Sequence, residues 1–206
     1  MGLRVCLTII FVCSFAASIV QSNFGKTNIS LERLDTVNNQ YIYYDLYKPK
    51  TATAANPAPF IAIIPGFQRS KEALSNIAIE LSRRGHVVAL IDPYAQGISS
   101  SSLSRRAATT EGYGMFHLIE HVHQSNKYDF IDKTKLGATG HSMGGNAAIR
   151  GANYFGKKAI DDSESILNSV FVSGYVLTLQ DNVLKPIKSN MGVSYALYDE
   201  GAFRDE

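Results

Sequence analysis

Tryptophan is absent from the 206 residues, and cysteine occurs only as Cys6 and Cys13 near the N-terminus. Neither sign of charge dominates: 20 Lys+Arg face 18 Asp+Glu for a formal net charge of +2, and basic residues cluster only as pairs such as Arg83-Arg84, Arg105-Arg106 and Lys157-Lys158. Nothing here is built to neutralise a phosphate backbone, so no nucleic-acid partner is expected. Six Pro, 16 Gly and 45% hydrophobic residues exclude both collagen and disorder. The length suits one domain with a sizeable core.

Only one long apolar run occurs, Leu3 to Val20, and Arg4, Thr8, Ser14 and Ser18 interrupt it. Arg4, the apolar stretch Val5 to Phe15 and the small residues Ala16-Ala17-Ser18 have the layout of a secretory signal. Residues 1–18 are expected to be removed on export, to a secreted or periplasmic location. An uncleaved membrane anchor over residues 3–20 is the alternative, and only then would the membrane be a partner. Lipidation at Cys13 is disfavoured by the bulk of Ile10-Phe11-Val12. Cleavage would leave a chain with no thiol, which excludes disulfides, cysteine nucleophiles and Cys-ligated metals.

Beyond the leader, Ser30 to Thr36 and Tyr41 to Tyr47 read as a hairpin joined by the turn-prone Val37-Asn38-Asn39-Gln40. Thr51 to Pro59 is a connector. Phe60 to Ile64 is a short unbroken apolar run of the kind found in a strand buried on both faces. Ser70 is placed to cap a helix carrying Ala73, Leu74, Ile77, Ala78 and Leu81 at helical spacing, and Gly85 stops it. Val87 to Ile91 is the next buried strand. After the serine-rich Ser99 to Ser104, a helix is predicted over Glu111 to Gln124, with Met115, Leu118, Ile119 and Val122 on one face. Strands follow at Lys135 to Thr139, Val170 to Ser173 and Val193 to Tyr198, with a helix beginning at Met143. This alternation predicts an α/β fold, a mostly parallel sheet with helices on both faces.

Gly140-His141-Ser142-Met143-Gly144-Gly145 stands between a predicted strand and a predicted helix. A Gly-x-Ser-x-Gly element there puts its serine on a sharp, strained bend, with the hydroxyl pushed out at the carboxyl end of the sheet. The helix amino terminus beside it favours developing negative charge. On three segments the chain resembles the alpha/beta hydrolase family, from about Tyr41 to the C-terminus: Ile61 to Phe67, Asp92-Pro93-Tyr94-Ala95-Gln96-Gly97-Ile98-Ser99, and the elbow Gly140 to Gly145. Ala95 departs from the family's Asp-x-x-Gly-x-Gly-x-Ser turn. The resemblance implies a hydrolase domain over residues 27–206, with Ser142 as nucleophile and the main-chain N–H groups of Phe67 and Met143 as oxyanion donors. Gly140, His141, Gly144 and Gly145 complete the elbow. Asp92 is read as a structural turn residue. Phe67, Tyr94 and Met143 would give the pocket an apolar lining.

A serine needs a base, and the base an orienting acid. The family order is Ser, acid, His. Val193 to Glu200 resembles the strand that ends in the acid, which makes Asp199 the candidate, with Glu200 and Asp181 as lesser options. All five histidines, His86, His117, His121, His123 and His141, precede Ser142. The family's last strand, histidine loop and closing helix are not matched, so a shortened and by itself nearly inactive copy is expected. His117, Glu120, His121 and His123 read as the wet face of their helix rather than as a metal site, and neither metal nor cofactor is expected. The leading function is hydrolysis of small-molecule carboxylic esters through an acyl-enzyme. A non-catalytic binding module and an acyltransferase remain the alternatives.

Overall fold

The computed structural model describes residues 25–36, 39–100, 114–159, 165–173 and 188–194. Among the described residues seven strands form one sheet: β1 (Thr27–Asp35), β2 (Tyr41–Pro49), β3 (Ala58–Ile64), β4 (Val87–Asp92), β5 (Ile131–His141), β6 (Ser169–Ser173) and β7 (Asn190–Ser194). Their order across the sheet is β1-β2-β4-β3-β5-β6-β7. β1 and β2 are the predicted antiparallel hairpin, with Leu34 opposite Ile42, and β2 pairs antiparallel with β4. From β4 to β7 every pairing is parallel.

The two-residue period of each strand sorts its side chains between two cores. Phe60, Ala62 and Ile64 of β3, and Val87, Ala89 and Ile91 of β4, enter a large cluster. Helices α2 (Met115–Gln124) and α3 (Met143–Lys158) cover it with Leu118, Ile119, Ala148, Ala152 and Phe155, among others. The alternate residues Ile63, Val88 and Leu90 face the other way, where α1 (Ser75–Arg83) contributes Ala78. Two fully buried tyrosines in the large core, Tyr44 and Tyr128, satisfy each other through a hydroxyl–hydroxyl hydrogen bond of 2.7 Å.

Four expectations need correction. Ser70 makes no capping bond; its hydroxyl bonds the Glu72 carboxylate, and a 3-10 turn over Lys71–Leu74 precedes the α-helix. The strand expected over Val193 to Tyr198 already begins at Asn190, in Asn190–Ser194, and Tyr195 to Tyr198 lie outside the described residues. Pairing with β6 fixes it there, with Met191 opposite Val170 and Val193 opposite Val172. β5 is longer than its apolar stretch, because Ile131 pairs with Ala58 before a register shift, and the polar residues between are merely half-buried or exposed. The helix predicted from Glu111 begins at Met115 behind Gly114, whose φ is +90°. Residues 1–18 and Ser101 to Tyr113 lie outside the described residues.

Candidate active site

The strand β5 ends at His141, and the chain reverses into α3 at Ser142, which adopts φ 54° and ψ −120°. A non-glycine residue held there stores on the order of 1–3 kcal/mol of strain, which the surroundings must sustain. They do so by close backbone packing. A Cβ on Gly144 would stand 2.1 Å from the Ile64 carbonyl oxygen and 2.6 Å from that of Pro65, and one on Gly140 would lie 2.3 Å from the Gly144 carbonyl carbon. Side chains at either position would separate strand, bend and helix, so the glycines of the motif are required by contact. Gly145, also buried, lies in the first turn of α3, and there the Asn146 N–H donates to the Ser142 carbonyl at 3.1 Å.

The neighbouring strand supplies the second half of the site. β3 runs parallel to β5 with Ile64 opposite Gly140, so the turn after β3 meets the elbow at the same end of the sheet. Gly66 is in that turn, and a Cβ there would come within 3.2 Å of the Ser142 Cβ and 3.4 Å of His141 Nδ1. Phe67 follows Gly66 and Met143 follows Ser142 in the chain. Ser142 and Met143 are half-buried, whereas His141 and Phe67 are exposed. The site occupies a topological switch point: from β3 the chain goes to β4 on one side, then returns to β5 on the other. Open α/β sheets bind ligands at such crevices.

Asp92 has the structural role expected of it. Its buried carboxylate accepts the Lys71 N–H at 2.7 Å and the Ile98 N–H at 3.2 Å. Burial pushes this carboxyl above its ordinary range, more strongly than those two donors hold it down. Tyr94, expected in a pocket lining, is fully buried in the core, with its hydroxyl bonded to Thr36. Exposed Ile98, four residues on, is the apolar surface of that turn.

Sequence reasoning also passed over Lys71, whose ammonium bonds Asp45 at 2.9 Å and Glu72 at 3.1 Å. Burial lowers the Lys71 pKa, but these two carboxylates outweigh it and the net shift is upward. The Ser70 hydroxyl, a main-chain N–H and Lys71 hold exposed Glu72 at about 2. Residues 45, 71 and 92 share no sequence pattern, and only the fold brings them together.

The histidine-bearing helix is drier than expected. The His121 ring packs edge-on against Tyr128 with centroids 5.6 Å apart, and Glu120 accepts from the Tyr154 hydroxyl and from Lys158. Among the described residues no group of His, Cys, Asp or Glu side chains could hold a metal ion. Asp199, Glu200 and Asp181 lie outside the described residues. An apolar groove of about 630 Å³ runs on the α1 face from Ile77 and Leu81 across Ile63 to Phe171 and Met191. It passes beneath Gly140 and His141, and Ser142 does not line it.

The family model described as PET hydrolase-like matches residues 14–195. Among solved structures, the esterase of Pyrobaculum calidifontis superposes with a TM-score of 0.56 at 18% identity, over 75% of this chain and 47% of that one. The alpha/beta hydrolase GrgF from Penicillium sp. sh18 gives 0.55 at 18% identity, over 71% and 46%. DcsB, solved with a substrate analogue, gives 0.56 at 18% identity, over 75% and 47%. At such identities the likeness is one of fold. The chain spans less than half the length of each of these three proteins.

Proposed function

The chain belongs to the PET hydrolase-like family, on an alpha/beta hydrolase fold, and from that premise we propose that it serves as a serine hydrolase of small-molecule carboxylic esters. The observation that carries the reading is the contact between Gly66 and Ser142, which sets the turn bearing Phe67 against a strained serine at a helix amino terminus. In this mechanism the Ser142 Oγ attacks the ester carbonyl carbon as its proton passes to a base. The carbonyl oxygen gains the negative charge, and the Phe67 and Met143 N–H groups receive it. Loss of one such donor typically costs about 10²–10³ in rate. Collapse of the tetrahedral intermediate expels the alcohol, which takes up the proton, and water then releases the acid from Ser142. Asp199 is kept as the acid that orients the base; the base itself is assigned to none of these 206 residues. Export directed by residues 1–18 belongs to the same proposal.

A fluorophosphonate probe tests it, applied to the protein together with any natural sequence that follows Glu206. Labelling that disappears in Ser142→Ala supports the hydrolase. Absence of label would favour the non-catalytic binding module. Acyl transfer outpacing hydrolysis in the presence of a competing alcohol would identify an acyltransferase instead.

A further inference from the structure

The turn that presents Phe67 is tied to the turn after β4. Gln68 sits at φ 56°, in the left-handed region that a non-glycine residue adopts at a cost, and the side chains of Phe67, Gln68 and Arg69 are all exposed. Across the ends of the turn the Arg69 N–H donates to the Gly66 carbonyl, at 3.2 Å. Two further bonds arrive from the turn after β4. The same Arg69 N–H is shared with Gln96 Oε1 at 3.2 Å, and the Lys71 N–H donates to Asp92 Oδ1 at 2.7 Å. The second turn is itself held on Asp92, whose Oδ2 accepts from Ile98 N–H at 3.2 Å. Gly97, at φ 55°, permits this approach: a Cβ there would fall 2.2 Å from the Asp92 carboxyl carbon. Between the turns lies a polar hollow of about 310 Å³ bordered by Gln68, Arg69, Gln96 and Gly97, so water has access to any N–H that Gln96 releases.

We propose that Gln96 and Asp92 are positioning residues that clamp the Gly66–Arg69 turn and so set where the Phe67 N–H points. The proposal rests on the hydrolase reading for the role of Phe67, but the clamp can be measured without it. In the full 206-residue chain, amide hydrogen exchange across Gly66 to Lys71 is compared among the parent, Gln96→Ala and Gln96→Glu. The alanine variant should exchange at least roughly tenfold faster in that segment alone, the scale of one lost hydrogen bond. Glutamate, which keeps the acceptor oxygen, should restore protection. Unchanged exchange in Gln96→Ala, or faster exchange spread over the whole sheet, would overturn the clamp. Asp92→Asn, which turns one carboxylate oxygen into a donor facing an N–H, should loosen the segment further. Fluorophosphonate labelling of Ser142 is followed in parallel, with the parent and each variant carried together with any natural sequence that follows Glu206. If the parent labels, Gln96→Ala should label about tenfold to 10²-fold more slowly and Gln96→Glu near the parent rate; equal rates for alanine and parent would overturn the link to the site. A parent that takes no label sinks the hydrolase reading and leaves exchange to judge the clamp.

Discussion

Among the described residues, the two faces of the sheet are finished to different degrees. On the side of α2 and α3, Phe60, Ala62, Ile64, Leu118, Ile119 and Phe155 are buried in one continuous cluster. On the side of α1, the cluster centred on Ile63, Val88 and Leu90 is small, and beyond it the surface over β5 to β7 is an open groove. Ile77 and Phe171 there are each 49% exposed. The bend at Ser142 draws its support from the filled face, since α3 begins at the serine and its helix packs into the large core. Strain at Ser142 is therefore opposed by the part of the molecule least able to yield.

Mutations should reveal that asymmetry. Leu118→Ala on the filled face removes a fully buried side chain and should lower unfolding free energy by about 2–5 kcal/mol in a denaturant titration. Gly144→Ala forces a Cβ against two carbonyl oxygens. Overpacking of that kind costs about 1–3 kcal/mol, and it should also abolish probe labelling at Ser142, because strand, bend and helix must separate. A stability equal to the parent would show that the elbow does not depend on this close approach.

A smaller effect on the same face is expected from pH. Burial first, and the Lys127 charge second, hold the His121 pKa below its ordinary 6.5. The unfolded chain therefore binds that proton more readily than the folded one. This contribution to stability is present above pH 6.5 and is lost as pH falls through 6.5 toward the depressed value. Thermal midpoints measured from about pH 8 down to about pH 5 should fall, and His121→Gln should make the fall shallower. An unchanged slope would mean that His121 titrates alike in both states. The least effect belongs to the open face: Ile77→Ser should change stability by no more than about 0.5 kcal/mol, while reducing binding of a hydrophobic dye to the groove. A loss comparable with Leu118→Ala would mean that the two faces are equally closed.

Much of this architecture was legible because its signals are local. Apolar runs at 60–64 and 87–91 mark strands buried on both faces, and the glycines around Ser142 announce a bend too tight for side chains. Boundaries were less readable where pairing overrides composition. The strand at 190–194 carries Asn190 and Gly192, and it forms there because β6 presents a matching edge. Ser70 looked like a cap because serine caps helices in general, but a 3-10 turn intervenes and Glu72 captures the hydroxyl. Tyr94 looked like a pocket wall from its place in a loop, whereas the fold turns it into the core and gives its hydroxyl to Thr36.

The sequence alone determined the α/β alternation and the serine on its glycine-flanked bend, because each depends on neighbours a few positions apart. Tertiary structure decided that Gly66 approaches Ser142, and that Asp92 and Gln96 reach back to the turn after β3. Those relations follow from strand order and register, which bring together residues 20 to 80 or so positions apart, and no local pattern encodes contacts at that separation.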